Sequence, residues 1–198
     1  MKPTPHARRS TRSVCAAAAC AAVFGLAAPG VESASVTGNL VATLTLTASC
    51  VVVGAGSTAT GVNLGTLAFG SQPSTFTGLL NAVPTAGASG SGNTQVLCSP
   101  DVSGLAISVD GGANPGQGTA IGTGTRAMRN GTAFVPYEVY RDSNRTTAYP
   151  ISTALTGFAV PPGGTPLDLP IFGQVNKTSA VALPSGAYTD TLVVTLTF

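Results

Sequence analysis

Few side chains in this sequence could do chemistry. The chain of 198 residues has one histidine, His6, four cysteines and seven acidic residues. A Ser-His-Asp or Cys-His arrangement needs an imidazole base, and His6 lies in an N-terminal segment that we expect to be removed. Zinc would need more histidine or cysteine ligands, and no D-x-D-x-D spacing indicates a calcium site. These absences exclude most hydrolytic and metal-dependent mechanisms.

The carboxylates beyond the first 34 residues could still serve a glycosidase if two of them faced one cleft. Two of the six lie in predicted turns, and two lie in or beside a strand whose outer face should be polar. We expect structural roles for the whole set: Asp101, Asp110, Glu138, Asp142, Asp168 and Asp190. The sequence therefore predicts a protein that is not an enzyme and that has no cofactor or metal site.

The first 33 residues predict an export signal. Basic residues between Lys2 and Arg12 precede an apolar run from Val14 to Ala28. This run is too short for a membrane-spanning helix, which takes about 20 residues, but it is typical of a cleaved signal peptide. We expect cleavage after Ser33, within about three residues either way. The mature chain then has no membrane span, and the protein is exported.

Two cysteines, Cys50 and Cys98, remain after Cys15 and Cys20 leave with the signal. An even pair in an exported protein predicts one disulfide, and the alternative is two buried free thiols. On the chain-entropy model, closing a loop of this length stabilises the fold by about 4 kcal/mol.

The charge of the mature chain is close to zero, because it keeps five basic and six acidic side chains. Nucleic-acid binding requires a face rich in Lys and Arg that neutralises phosphates. No such face can be built here, so nucleic acid is excluded as a partner.

The elements that must position these residues are predicted to be strands. Apolar and polar residues alternate with a period of two between clusters of turn-forming residues, and no stretch keeps a helical period. The clearest alternation follows the signal, where apolar side chains share one face, with Val41 as the exception. Further strands are predicted at 62–69, 94–98, 105–109, 133–141, 169–175 and 188–198. Tight turns are predicted at Asp110-Gly111 and Asn130-Gly131. Short strands at this spacing indicate one all-β sandwich domain with Greek-key connections.

The last 13 residues, GAYTDTLVVTLTF at 186–198, resemble the closing G-x-Y-x-D-T-L-x-V-T-L-x-F motif of the spore coat protein U domain. This is the domain of the archaic, Csu-type chaperone-usher pilins. Other pieces agree in order along the chain: TASC at 47–50, LAFG at 67–70, VLC at 96–98, DGG at 110–112, YEVYRD at 137–142 and PIFG at 170–173. The resemblance covers essentially the whole mature chain.

The resemblance implies an incomplete immunoglobulin-like sandwich that lacks one strand and is completed by a donor strand from another subunit. Residues 34–46 are then the donor extension and 47–198 the pilin domain. The donor side chains would be Val36, Leu40, Ala42, Leu44 and Leu46. Burial of four or five of them at about 1.5–3 kcal/mol each would give about 6–15 kcal/mol before ordering costs. From periodicity alone, this segment could equally be the first strand of a complete sandwich.

The same resemblance implies the partners. These are copies of the chain or related pilins, a periplasmic chaperone that lends a strand, and an outer-membrane usher. The strand that borders the groove and pairs with the chaperone would carry Leu192, Val194, Leu196 and Phe198. The implied function is a structural subunit of a surface fibre that serves adhesion and biofilm formation. Two alternatives remain: a spore-coat or matrix protein with the same domain, and a self-complete secreted sandwich that binds a ligand such as a glycan.

Overall fold

A computed structural model describes residues 35–55, 61–85, 87–88, 93–162 and 164–198. The predicted export signal, with Cys15 and Cys20, lies outside the described residues. The chain divides into two units after Leu44. Across the described ranges, no helix is long and apolar enough to cross a membrane.

The described residues form strands and no helix, which confirms the all-β prediction. The strands, in chain order, are β1 Cys50–Val52, β2 Thr66–Leu67, β3 Gly78–Ala82, β4 Pro84–Thr85, β5 Gln95–Cys98, β6 Leu105–Val109, β7 Gly122–Thr123, β8 Arg126–Asn130, β9 Ala133–Tyr140, β10 Leu155–Phe158, β11 Leu167–Asp168, β12 Phe172–Lys177 and β13 Val194–Thr197.

These strands pair into small antiparallel sheets. One sheet has the order β1-β5-β11, a second has β10-β6-β13, and the largest has β3-β12-β9-β8 with β7 also paired to β12. Strands β2 and β4 form a separate pair. Because neighbours in each sheet are often distant in sequence, most connections cross from one sheet to another, as in a sandwich.

The core lies where the sheets pack against one another. Alternate side chains of β5, β6 and β12 are buried, as expected for strands that turn one face to a shared interior, and β9 has buried residues on both faces in its middle. Ile107 and Val109 of β6 are fully buried and belong to the same cluster as Val96, Val139 and Val175. One apolar core therefore holds the three sheets together.

The predicted disulfide joins the edge strand β1 to the central strand β5 of the first sheet. Cys50 of β1 lies directly opposite Cys98 of β5, and their sulfur atoms are bonded. The bond closes a loop with a sequence separation of 48 residues. It holds the short strand β1, which has few ladder hydrogen bonds of its own, against the centre of the sheet.

The observed strands differ in length from several predicted ones. The strand predicted at 62–69 shrinks to β2, because its partner β4 begins with Pro84, which cannot donate to the ladder. The strand predicted at 169–175 begins only at Phe172, after Pro170. The strand predicted at 188–198 begins only at Val194, because side-chain contacts described below replace the ladder before it. The predictions for β5, β6 and β9 were correct to within a residue or so.

Two cationic side chains on strands are buried. Arg126 of β8 and Lys177 of β12 are both 0% exposed. The Lys177 ammonium donates to the carbonyls of Phe76 and Val181, at 2.8 and 3.0 Å, and to that of Ser179. Strand β8 was not predicted, because a charged residue at a buried position breaks the alternation on which the prediction depends.

The segment 35–49 contains no strand, although its alternation is the clearest in the sequence. All of these residues are exposed, including Leu40 at 96% and Val41 at 81%. Alternation alone does not order a strand, because a strand also needs a partner strand for its backbone groups.

Candidate functional site

Two strand edges border a groove in the unit formed by residues 45–198. Among the described residues, β1 pairs only with β5 and β13 pairs only with β6, so each has one edge without a neighbouring strand. A cavity of about 990 Å³ is lined by residues of both strands. A free edge exposes a row of unpaired backbone N–H and C=O groups that can pair with another strand.

The groove has an apolar floor and a backbone rim. Its floor includes the half-buried side chains of Val62, Leu64, Leu67 and Phe69, and the buried ring of Tyr137. Further lining residues come from β1, from β8, from the residues just before β12 and from the C-terminal stretch, among them Val52, Met128, Ile171, Leu192, Val194, Leu196 and Phe198. An apolar trough beside unpaired backbone groups matches an extended chain whose alternate side chains are apolar.

The C-terminal stretch turns alternate side chains toward the core, as its sequence predicted. Leu192, Val194 and Leu196 are half-buried and pack against the core cluster. The residues between them face outward, with Val193 61% exposed. Phe198 lines the groove and is 54% exposed, beyond the last paired residue, Thr197.

The wall segment, residues 188–193, lines the groove without belonging to a strand. Its backbone meets β8 at one isolated bridge between Thr189 and Arg129. At its other end, the carboxylate of Asp110 accepts hydrogen bonds from the amides of Val193, at 2.9 Å, and Gly112, at 3.1 Å. The Asp110 amide in turn donates to the Val193 carbonyl at 3.0 Å. This side chain therefore joins the end of β6 to the groove wall.

A second carboxylate, that of Asp190, performs a similar role in the middle of the wall segment. Its two oxygens accept the amide of Ala113, at 2.9 Å, and the phenol of Tyr137, at 2.8 Å. Burial, followed by the hydrogen bond to Asp190, raises the pKa of Tyr137 well above its usual range. The phenol therefore stays protonated and donates, and its ring packs beside Phe69 with centroids 6.1 Å apart.

A buried ion pair supports the same region from the core side. Arg126 donates to the Glu138 carboxylate at 2.6 Å, and to the carbonyls of Asp110, at 2.7 Å, and of Val109 and Tyr149, both at 3.1 Å. Glu138 also accepts from the backbone and the hydroxyl of Thr125. The sequence indicated a polar outer face for Glu138 and so missed this pair.

Two further carboxylates, those of Asp142 and Asp168, also accept hydrogen bonds from neighbouring groups. In addition to the three just described, Asp142 accepts the amides of Thr146 and Thr147 in a surface turn, which lowers the pKa of its carboxyl. Asp168 accepts the amide group of Gln95 at 2.8 Å. Within the part of the chain that the structure describes, no cluster of three His, Cys, Asp or Glu side chains could hold a metal ion.

The other predicted site residues lie in the N-terminal segment. Val36, Leu40, Leu44 and Leu46 are 83–96% exposed, and Ala42 is exposed as well. The groove floor between residues 61 and 69 was not predicted as a site, and neither were the two aspartates of the wall. The sequence did contain a signal for the aspartates, since Asp110 lies in the DGG motif and Asp190 in the G-x-Y-x-D motif.

Comparison with known proteins agrees with these motifs. The Spore Coat Protein U domain model matches residues 36–195. The chain is 32% identical over 184 residues to Protein U of Myxococcus xanthus, covering 92% of this chain and 96% of that protein. It is also similar to a solved CsuC–CsuE chaperone–tip adhesion subunit pre-assembly complex from the archaic chaperone-usher Csu pili of Acinetobacter baumannii. That match is 19% identical with a TM-score of 0.43, and covers 78% of this chain and 40% of that one. The first two matches span nearly the whole chain beyond the predicted signal, so the protein belongs to the Spore Coat Protein U domain family.

Proposed function

We propose that the protein is an exported structural subunit of a surface fibre, built by the chaperone-usher pathway through donor-strand exchange. Residues 1–33 are the signal, 34–46 the donor extension and 47–198 the pilin domain. The fibre serves adhesion and biofilm formation, and the subunit has no catalytic role. The single observation that supports this proposal best is the apolar groove of about 990 Å³ between the free edges of β1 and β13.

The occupant proposed for the groove is residues 35–46 of another copy. Such a segment is about 40 Å long when extended. Its apolar side chains at alternate positions are exposed, with Leu40 at 96% and Leu44 at 83%. Burial of an exposed leucine contributes about 1.5–3 kcal/mol, while the groove edges supply partners for the backbone. Before assembly, a periplasmic chaperone strand fills the same groove, and an outer-membrane usher exchanges it for the donor.

A pair of matched substitutions tests the donor assignment. Leu44 and Thr43 are neighbours, and both are exposed, so neither Leu44→Asp nor Thr43→Asp should alter the fold of the free chain. Leu44→Asp would place an unpaired charge in the groove, at a cost of several kcal/mol, whereas Thr43→Asp would leave the charge on the solvent face. We expect the wild type and Thr43→Asp to form heat-resistant polymers in size-exclusion chromatography, and Leu44→Asp to stay monomeric.

The same experiment separates the other assignments. A wild-type chain that stays monomeric and ignores a synthetic peptide of residues 35–46 would contradict strand donation and favour a self-complete ligand-binding sandwich. Polymerisation of Leu44→Asp at the wild-type rate would show that a different segment is donated.

The second candidate is a spore-coat or matrix protein with the same domain, which the name of the family favours. Electron microscopy of surface material from producing cells distinguishes the two. Thin fibres that contain the protein support the pilin assignment, and a continuous layer without fibres supports the coat.

A further inference from the structure

The wall segment, residues 188–193, is held in place by side chains where a strand ladder would ordinarily hold it. Between its bridge at Thr189 and the start of β13 at Val194, it forms no ladder with any strand in the described part of the chain. The Asp110 loop, residues 110–113, contacts the wall segment through one backbone hydrogen bond, from the Asp110 amide to the Val193 carbonyl, and through the carboxylates of Asp110 and Asp190. Two acidic side chains therefore contribute to the position of this side of the groove.

The two aspartates exchange contacts reciprocally. Asp110, in the loop, accepts an amide of the wall segment, that of Val193, and Asp190, in the wall segment, accepts an amide of the loop, that of Ala113. Such charge-assisted bonds to backbone amides are stronger than neutral ones. Each carboxylate also has a second partner, which fixes its orientation.

The loop is shaped to let the wall segment approach closely. Gly112 has a φ of +66°, and a Cβ built on it would lie 2.1 Å from a carboxylate oxygen of Asp190. A side chain at this position would push the wall away from the loop, because real Cβ atoms do not approach oxygen so closely. The glycine of the DGG motif therefore leaves the space that the aspartate of the G-x-Y-x-D motif occupies.

The hydrogen bonds around Asp110 and Asp190, which we call the aspartate clamp, also include residues of the groove floor and the core. Tyr137, which is 3% exposed and lines the groove, donates its phenol to Asp190. Beneath the loop, the buried guanidinium of Arg126 holds the carbonyls of Val109 and Asp110. Wall, floor and core are thus joined through one set of hydrogen bonds.

We propose that Asp110 and Asp190 are positioning residues that hold the groove wall in the geometry that accepts a strand before any strand arrives. This proposal rests on the proposed function. A groove that is open only part of the time binds its ligand more weakly in proportion to the fraction of open molecules. Loss of either carboxylate should therefore slow strand capture in molecules that are still folded.

The test uses the full exported chain with Leu44→Asp, which keeps its own extension out of the groove, and a fluorescent peptide of residues 35–46 as probe. Association rates are measured by anisotropy at a temperature well below unfolding. We expect Asp110→Ala and Asp190→Ala to slow association about tenfold or more, the equivalent of one hydrogen bond to a charged group. The matched control is Asp168→Ala, which removes an exposed carboxylate that does not line the groove.

Conservative variants separate positioning from charge. An asparagine at either position keeps one oxygen for the backbone amides, so Asp110→Asn and Asp190→Asn should remain within about threefold of the parent rate, given the modest net strength of one hydrogen bond. Tyr137→Phe removes only the phenol oxygen and should slow capture by a few fold. A role confined to stability would lower the unfolding midpoint of the alanine variants and leave the association rate of folded molecules unchanged.

The outcomes are distinct. Failure of the parent chain to capture the peptide would overturn both strand acceptance and this proposal. Capture by the parent, with unchanged rates in the alanine variants, would overturn the positioning role alone. Should the alanine variants fail to fold, hydrogen exchange on the parent chain decides. Protection of the Val193 and Ala113 amides in the peptide-free protein would support the proposed role of the aspartate clamp. Exchange of these amides at the rate of an unfolded chain would overturn the proposal.

Discussion

The buried guanidinium of Arg126 allows a sharp prediction, because its replacement by methionine changes hydrogen bonding with little change in volume. The side chain is 0% exposed and donates to Glu138, whose side chain is 12% exposed. It also donates to the carbonyls of Val109, Asp110 and Tyr149. Methionine is unbranched and adapts to irregular space. The expected loss in the free energy of unfolding therefore comes from the oxygen acceptors that no longer have a hydrogen-bond donor.

The loss can be estimated from the acceptors left behind. The Val109 carbonyl keeps a second partner, since the amide of Ser152 donates to it at 2.9 Å. The carbonyls of Asp110 and Tyr149 lose the guanidinium, and the Glu138 carboxylate loses its ion pair. Breaking a buried pair from one side costs about 3–5 kcal/mol. Native domains are stable by about 5–15 kcal/mol in total, so Arg126→Met should remove a large part of the stability.

The assay is urea unfolding of monomeric protein followed by circular dichroism, with the disulfide intact. For a slope of about 2 kcal/mol per molar urea, this loss lowers the midpoint by about 2 M. Arg141→Met is the matched control, because that guanidinium stacks 4.4 Å above the ring of Phe158 and donates only to Thr156, at 3.3 Å. We expect the control to lose about 1 kcal/mol or less. Equal midpoint shifts for the two variants would refute the reasoning.

Three further predictions follow from the described contacts. Replacement of both cysteines by serine should lower the free energy of unfolding by about 4 kcal/mol through the loop of 48 residues, and chemical reduction of the wild type should have the same effect in a urea titration. Gly112→Ala should destabilise by more than Gly131→Ala, because a Cβ at Gly112 meets Asp190 at 2.1 Å and one at Gly131 meets nothing within 4 Å, although both have positive φ. Equal thermal shifts would contradict this. Since burial raises the pKa of Tyr137, the phenol ionises more readily in the unfolded chain. Its contribution is therefore complete below a pH of about 10 and is lost as pH rises above that value. As the pH rises to 11, Tyr137→Phe should lose less stability than the wild type. Identical alkaline unfolding curves for the two proteins would contradict this.

Local sequence patterns predicted the elements that depend on adjacent residues alone, such as a strand with alternating apolar residues or a tight turn. Strand β6 has strictly alternating burial, and its bounds agree with the prediction. The hairpin at Asn130-Gly131 is also present, with Gly131 at a φ of +59° between the paired residues Asn130 and Ala133. In both places, the sequence signal is short-range, because a period of two and a positive φ depend on adjacent residues.

Amino-acid types and order by themselves determined the all-β class, the cysteine pair and the family. They also marked the two aspartates as parts of motifs. Only the tertiary structure decided that the Asp110 loop and the wall segment bind each other from distant parts of the chain, that Arg126 is buried, and that the C-terminal strand starts late. These outcomes depend on which backbone groups face each side chain after the sheets pack. A single sequence contains no such information about pairs of residues that are far apart along the chain.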